Sequence, residues 1–158
     1  MPSLKGKIAL VAGATRGAGR GIARMLGEAG ATVWCSGRGS RTHPSAAGAY
    51  AGRPETVDDT ADLVNAAGGR GIAVRVDHTD PAQVTALIER IRSESGRLDI
   101  LVPVLGGSQV KQWDSFWKLG LAEGRDLVES WLWSRLNTYH AAVPLILEHK
   151  GGLIVEVT

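Results

Sequence analysis

The sequence predicts an α/β fold, a doubly wound parallel sheet with helices on both faces. Short apolar and β-branched runs alternate with amphipathic stretches along the 158 residues, which is the pattern of parallel strands joined by crossover helices. The 21 glycines are clustered, and one cluster lies where the first apolar run must turn sharply into the first amphipathic stretch. We expect five strands in the order 3-2-1-4-5, with the chain truncated after the fifth.

The first third of the chain predicts two strands, a helix and a long loop. The continuous apolar run at 7–12 predicts a first strand that is buried on both faces of the sheet. Apolar residues spaced three and four apart predict a helix over 18–29, and the glycine that follows ends it. Residues 32–36 predict a second strand. Residues 37–53 have no periodicity and therefore predict a long loop.

The middle third predicts two further helices and two further strands. Pro54 predicts the start of a second helix, because proline is favoured at the first helical position, and Gly68 and Gly69 end it. The run at 72–76 predicts a third strand, and the run at 98–105 a fourth. Between them, an aspartate cap followed by a proline predicts a third helix. Its buried stripe consists of Val84, Leu87, Ile88 and Ile91.

The last third predicts two helices and the fifth strand. A short helix is expected around 113–117, followed by a long helix over 125–148 in which Pro144 makes a kink or a break. Residues 153–157 predict the fifth strand. Helical spacing directs one set of apolar side chains of the long helix toward the core: Val128, Trp131, Leu132, Leu136, Val143 and Leu147.

Composition and charge indicate one globular domain over residues 1–158. Hydrophobic residues make up 44% of the chain and charged residues 22%, which excludes a disordered chain. The 18 basic and 16 acidic residues are spread through the chain, so we expect no nucleic-acid partner. No apolar run approaches the roughly 18 residues of a membrane span, so we expect no membrane partner. The single cysteine, Cys35, indicates a reducing compartment, and we expect a cytoplasmic protein.

The remaining conspicuous side chains are expected to have structural roles. The four histidines lack metal-ligand spacing, so we expect ordinary surface or loop histidines and no metal site. Arg41 and Arg53 are expected to solvate the long loop, and Cys35 to be an inert core residue. The tryptophans from 113 to 133 are expected in the core or at a subunit interface, because two of them lie on the long helix; the alternative is an aromatic ligand pocket.

The glycine turn after the first strand predicts a Rossmann-type phosphate site. Without side chains, the backbone can approach a pyrophosphate closely, and the free N–H groups and dipole of the following helix stabilise its charge. A strand before the turn, and a helix and a second strand after it, supply the required context. The alternative is a tight turn that binds no ligand. The residues expected at the phosphate site are Gly13, Thr15, Arg16, Gly17, Ala18 and Gly19.

The end of the second strand distinguishes between possible nucleotides. A site for NAD or S-adenosylmethionine usually has an aspartate or glutamate there, which binds the ribose hydroxyls. This chain has Arg38 instead, and a guanidinium suits bidentate pairing with a 2′-phosphate. Arg16 in the glycine turn is expected on the same side. We therefore expect NADP(H) rather than NAD(H), with a solvated Arg38 as the alternative.

These residues resemble the short-chain dehydrogenase/reductase family. The Thr-Gly-x-x-x-Gly-x-Gly turn of that family is matched from Gly13 onward, with Ala12 in place of the threonine. Its Leu-Asp-Ile-Leu-Val strand is matched at 98–102. The final glycine of the Asn-Asn-Ala-Gly motif that follows this strand corresponds to Gly106.

The resemblance implies a function and further site residues. Asp77 would contact the adenine, and His78 would line the adenine pocket through its backbone. The chain would be the cofactor-binding portion of an NADP(H)-dependent oxidoreductase that transfers hydride between small carbonyl and alcohol compounds. It would form a homo-oligomer through the long helix over 125–148.

Departures from the family pattern concern the catalytic centre. Pro-Val-Leu at 103–105 replaces Asn-Asn-Ala, and the family's helix asparagine falls near Trp131, since Asn137 lies almost two turns later. Neither Tyr50 nor Tyr139 has the lysine four residues on that would lower the tyrosine pKa, and the chain ends one residue before the family's serine. We predict no catalytic residue and no activity for this chain alone. The alternative is a non-catalytic dinucleotide-binding or scaffold module.

Overall fold

The predicted strand order is confirmed by a computed structural model of the chain. The structure describes residues 3–44, 52–106, 115–118 and 120–157. One sheet of five parallel strands has the order β3-β2-β1-β4-β5. The strands are Ile8–Ala12 (β1), Thr32–Gly37 (β2), Arg70–Arg75 (β3), Ile100–Pro103 (β4) and Leu153–Ile154 (β5).

Helices join the strands and cover both faces of the sheet. A 3-10 helix at Phe116–Lys118 precedes the last helical region, in which a π-helical turn at Glu129–Trp133 joins two α-helices. None of the helices in the described ranges combines the length and the apolar character needed to cross a membrane. The α-helices are Gly17–Glu28 (α1), Val57–Ala66 (α2), Pro81–Ser95 (α3), Leu121–Val128 (α4) and Ser134–Leu147 (α5).

The core consists of two apolar layers, one on each face of the sheet. Successive residues of the central strand β1 point to opposite faces. Leu10 packs in the layer that includes side chains of α3 and α5. Ala9 and Val11 pack in the layer that includes side chains of α1 and α2. All three are fully buried, which confirms a first strand buried on both faces.

The start of α2 differs from the prediction at Pro54. The helix begins at Val57, and Thr56 is its N-cap. The Thr56 hydroxyl accepts a hydrogen bond from the Asp59 N–H (3.1 Å), and the Asp59 carboxylate accepts one from the Thr56 N–H (3.1 Å). This reciprocal capping box satisfies two N–H groups at the helix start, which the proline at position 54 does not do.

Strand limits differ from the predicted ranges 72–76, 98–105 and 153–157. β3 is Arg70–Arg75, because its pairing with β2 begins at Arg70, opposite Thr32. β4 is shorter than predicted at both ends. β5 is limited to two residues, although the N–H groups of Val155 and Val157 still donate to carbonyls of residues 101 and 103.

The long helical region also differs from the prediction in its limits and in its buried face. It begins at Leu121 rather than at 125, and α5 continues through Pro144 to Leu147, so the proline does not end the helix. Five of the six side chains expected to face the core are exposed: Val128, Trp131, Leu132, Leu136 and Leu147. The residues of α5 that are buried are Ser134, Thr138, Ala142, Leu145 and Ile146.

Candidate functional site

A cleft opens at the carboxyl end of the sheet, next to the end of β1. β2 and β4 lie on opposite sides of β1, and this reversal of strand order is where doubly wound sheets bind ligands. Eight of the ten predicted site residues line the cleft: Gly13, Thr15, Arg16, Gly17, Arg38, Asp77, His78 and Gly106. Ala18 and Gly19 do not line it but belong to the first turn of α1.

The turn after β1 requires glycine at position 13. Gly13 has a φ of +88°, and a Cβ atom there would lie 2.2 Å from the Val104 carbonyl oxygen. A Cβ atom on Gly19 would lie 2.2 Å from the Gly13 carbonyl oxygen. The N–H groups of Gly13 and Ala14 both donate to the Ser36 carbonyl at 2.9 Å. The turn is therefore fixed to β2 and packed between α1 and the end of β4.

The N-terminus of α1 fits a phosphate group. Arg16 is the N-cap residue, and its side chain makes no cap hydrogen bond, so the first N–H groups of the helix remain available as donors. Gly17 has a φ of +54°, and a Cβ atom there would have no atom within 4 Å. Open space beside uncapped N–H donors at a positive helix end is suited to a pyrophosphate.

Arg38 lines the cleft and comes directly after β2. The Arg38 carbonyl accepts a hydrogen bond from Nε of Arg75 at 3.2 Å. Among the described residues, no side chain forms an ion pair or hydrogen bond with the Arg38 guanidinium. A guanidinium without a carboxylate partner keeps its hydrogen-bond donors and its charge available for an anionic ligand.

Asp77 is held in a fixed orientation at the end of β3. Its Oδ1 accepts hydrogen bonds from the Thr79 N–H (3.0 Å) and the Thr79 hydroxyl (2.8 Å). Its own N–H donates to the Gln83 side chain at 3.0 Å. Oδ2 accepts no hydrogen bond within the ranges that the structure describes, which leaves it available to accept a donor on a ligand.

His78 lies in the turn that follows β3, and its side chain is buried rather than exposed. Its Nε2 lies 2.9 Å from the Ser36 hydroxyl, and its Nδ1 lies 2.8 Å from the Thr138 hydroxyl. The Thr138 hydroxyl donates to the Ser134 carbonyl at 2.7 Å, so it must accept from Nδ1–H, and Nε2 must accept from Ser36. Burial lowers the pKa of His78 to about 4, which keeps the ring neutral near pH 7.

Asn137 holds the loop that carries Asp77 and His78. Its side-chain amide donates to the carbonyls of His78 (3.2 Å) and Thr79 (3.3 Å). The prediction that Asn137 has no catalytic role is untested, but the residue links α5 to the rim of the cleft. Sequence reasoning missed this link, and it also missed several residues that line the cleft: Gly37, Gly39, Val76, Thr79, Val104, Leu105, Ser130 and Ser134.

Trp131 packs against Gly106, which lines the cleft on its β4 side. A Cβ atom on Gly106 would lie 3.1–3.2 Å from atoms of the Trp131 indole. Arg135 lies with its guanidinium 5.5 Å from the centroid of this ring, and it donates to the Trp131 carbonyl at 2.6 Å. Arg135 also pairs with Glu156 at 2.5 Å. The indole of Trp131 is thus held in place by Arg135 and by its packing against Gly106.

Two further predictions about side chains have clear outcomes. Cys35 is buried in β2, and burial raises the pKa of its thiol to about 12, so it is an inert core residue as predicted. Arg41 and Arg53 do not simply solvate a loop, because Arg41 pairs with acidic residues of α2 and Arg53 pairs with Glu55 at 3.1 Å. Residues 45–51 of the predicted loop, and 113–114 of the predicted short helix, lie outside the described residues.

Within 3–44, 52–106, 115–118 and 120–157, no group of three or more His, Cys, Asp or Glu side chains could hold a metal ion.

The doubly wound sheet and the glycine turn at its switch point define a Rossmann-type α/β protein. Residues 7–158 match the family described as short chain dehydrogenase, and the chain belongs to this family. Nicotinamide dinucleotides are the cofactors of the family. The glycine turn, the uncapped start of α1 and the carboxylate of Asp77 fit such a group.

Two curated relatives and one solved structure illustrate the match. The chain is 32% identical over 155 residues to the 3-oxoacyl-(acyl-carrier-protein) reductase FabG of Escherichia coli, covering 98% of this chain and 55% of that protein. It is 38% identical over 100 residues to mouse dehydrogenase/reductase SDR family member 1, covering 63% of this chain and 28% of that protein. A crystal structure of a short-chain dehydrogenase/reductase from Burkholderia xenovorans superposes with a TM-score of 0.81 at 30% identity, covering 99% of this chain and 55% of that one. The chain therefore spans about half the length of the relatives that it matches from end to end.

Proposed function

We propose that the cleft binds NADP(H) in preference to NAD(H). The observation that carries this proposal is Arg38, which lines the cleft and whose guanidinium has no side-chain partner among the described residues. β2 ends in Ser36 and Gly37, so no carboxylate is present there to bind ribose hydroxyls or to repel a 2′-phosphate. Arg16 lines the same cleft and supplies a second cation.

The remaining predicted residues have complementary roles in this proposal. Backbone N–H groups at Gly17, Ala18 and Gly19 bind the pyrophosphate, and Gly13 and Thr15 shape the turn that presents them. Asp77 accepts from the adenine, and the backbone of His78 lines the adenine pocket. Gly106 lies on the opposite, β4 side of β1, where the nicotinamide half of the dinucleotide lies in doubly wound folds. When bound, NADPH supplies a hydride for the reduction of a carbonyl compound.

The preference is tested by the Arg38→Asp variant. A well-formed charge-assisted hydrogen bond contributes roughly 1.5–3 kcal/mol, which corresponds to a factor of about 10–100 in affinity. We expect the unmodified chain to bind NADPH at least about tenfold more tightly than NADH, and Arg38→Asp to remove that difference. Fluorescence titration of the two reduced cofactors measures both affinities.

The control is Arg24→Asp, which changes the net charge by the same amount on the exposed surface of α1. It should retain the preference of the unmodified chain. Equal affinities for NADPH and NADH in the unmodified chain would refute the proposed preference.

The reaction that we propose is hydride transfer between a small carbonyl compound and its alcohol. The 158 residues contain no Tyr-x-x-x-Lys pair, so we propose that the chain alone does not turn over substrate. Trp131 in place of the family's asparagine favours a second candidate, a non-catalytic dinucleotide-binding or scaffold module. Turnover of NADPH by the chain, alone or within a longer parent protein, distinguishes the two.

We also propose that copies of the chain associate through the long helical region, in the cytoplasm. Val128, Leu132, Trp133 and Leu136 lie within three turns of helix, and each exposes between 43% and 53% of its surface. An apolar strip of this kind marks an interaction surface, and a second copy of the chain presents an identical one. The buried, unpaired thiol of Cys35 is consistent with a reducing compartment.

A further inference from the structure

The segment after β2, which carries Arg38, is fixed to α2 by one arginine. The main-chain N–H of Arg41 donates to Asp58 at 2.9 Å. Its guanidinium donates to Asp59 at 2.7 Å and to Asp62 at 2.6 Å. Three carboxylates within the first two turns of α2 thus hold one residue of the segment, through both its backbone and its side chain.

Two further contacts fix the peptides of residues 38 and 39. The Gly39 carbonyl accepts from the Val57 N–H at 3.0 Å, and the Arg38 carbonyl accepts from Nε of Arg75 at 3.2 Å. Ser40 and His43 then pair through their main chains at 2.9 and 3.2 Å. The segment is therefore a fixed turn, although it contains no helix or strand.

The arginines around this turn differ in what their guanidinium groups contact. Arg41 is neutralised by Asp62 and Asp59, whose hydrogen bonds raise its pKa further above its usual range. Arg75 donates to a backbone carbonyl. Only the guanidinium of Arg38, among these three, has no partner in the described residues. This arrangement separates the group available to a ligand from the groups that hold its backbone.

We propose that Arg41 and Arg75 are positioning residues that set the cofactor selectivity of the cleft. They act through the backbone of Arg38, which they hold so that its guanidinium stays at the cleft. A fixed backbone lowers the entropy cost of ordering Arg38 when a ligand binds. Only ligands with a 2′-phosphate gain from this, because the Arg38 guanidinium contacts that group. The inference rests on the proposed preference for NADP(H).

The test compares ligands with and without a 2′-phosphate. We would measure the affinities of NADP⁺, NAD⁺, 2′,5′-ADP and 5′-ADP for the unmodified chain and for Arg41→Met, which keeps an unbranched apolar side chain but removes the charge. We expect Arg41→Met to weaken NADP⁺ and 2′,5′-ADP by about tenfold and to change NAD⁺ and 5′-ADP by less than about twofold. Arg75→Met should act in the same direction.

Two additional variants make the result specific. Arg24→Met removes an exposed arginine that pairs with Glu28 on α1, and it should change none of the four affinities. The contacts of Arg41 with Asp58, Asp59 and Asp62 form a clamp between the segment and α2. Asp62→Asn weakens this clamp without altering Arg41 itself, and it should give an intermediate loss of affinity for the 2′-phosphate ligands. Asp62→Asn also provides the test if Arg41→Met does not fold.

Each outcome bears on one of the two proposals. If the unmodified chain prefers NADP⁺ and the clamp variants keep that preference, the positioning role is refuted and the proposed function stands. If the variants weaken all four ligands equally, Arg41 only supports the fold, and the inference is again wrong. If the unmodified chain has no preference, the proposed function fails, and there is no selectivity for Arg41 to set.

Discussion

Replacing Gly13 with alanine is expected to destabilise the protein by about 3 kcal/mol. Backbone strain costs roughly 1–3 kcal/mol, and overpacking costs roughly the same. The residue has a φ of +88°, and the added methyl group would lie 2.2 Å from the Val104 carbonyl oxygen. Relief of this clash moves the turn away from the end of β4. We therefore expect the melting temperature to fall by about 10 °C and NADPH binding to be lost.

The matched control is Gly21→Ala on the exposed side of α1. A Cβ atom at Gly21 would have no atom within 4 Å, and alanine in a helix interior is more stable than glycine by roughly 0.5–1 kcal/mol. Thermal melts of the two variants should shift in opposite directions. A Gly13→Ala protein that melts like the unmodified one would contradict the close approach between the turn and β4.

Lowering the pH from 7 to 4.5 is expected to destabilise the fold through His78. Burial lowers the pKa of His78 to about 4, whereas the ordinary value is 6.5. Below pH 6.5 the unfolded chain therefore binds a proton that the folded chain does not bind, and the free energy of unfolding falls as the pH falls. The full difference between the two pKa values corresponds to about 3 kcal/mol, and most of it is lost by pH 4.5.

Urea unfolding at several pH values between 7 and 4.5 measures this slope. His78→Gln provides the comparison, because its amide can donate to Thr138 and accept from Ser36 but does not titrate. Its free energy of unfolding should vary much less over the same interval, whatever its absolute stability. An unmodified chain as stable at pH 4.5 as at pH 7 would show that His78 is not held neutral.

The strand order could be predicted because its signals are local or shared by the family. The run at 7–12 is continuously apolar, and the structure places Ala9, Leu10 and Val11 in the core with no exposure. Strand limits were predicted less well. β3 has an arginine at each end, and charged residues do not indicate a strand by apolar pattern. The limits of β3 follow from its pairing with β2, which the local sequence does not show.

The buried face of α5 could not be predicted from apolar spacing. Ser134 and Thr138 are buried, and their hydroxyls donate to helix carbonyls at 2.6 and 2.7 Å, which removes the penalty of burying a polar group. Leu132 and Leu136 are exposed. A π-helical turn immediately before α5 also shifts the periodicity, since it adds a residue to one turn. The buried side of α5 thus carries polar residues and its exposed side apolar ones, so a prediction from apolar spacing selects the exposed face as the buried one.

The candidate site divides in the same way between local and distant contacts. The glycine turn and Arg38 are each recognisable from a short stretch of sequence, and both line the same cleft in the structure. The link from Asn137 to His78 spans 59 residues, and the clamp from Arg41 to Asp62 spans 21. Contacts over such separations depend on how the elements pack, and no pattern near either residue indicates them.

The central claim, that the carboxyl end of the sheet binds a nicotinamide dinucleotide, is tested most directly by NMR titration of the ¹⁵N-labelled chain with NADPH. We predict that the largest amide shift changes occur at Gly17, Ala18, Arg38 and Asp77, around the cleft. Amides at the opposite end of the sheet, such as those of Gly96 and Asp99, should not move. Shift changes confined to that opposite end, or none at saturating NADPH, would contradict the account.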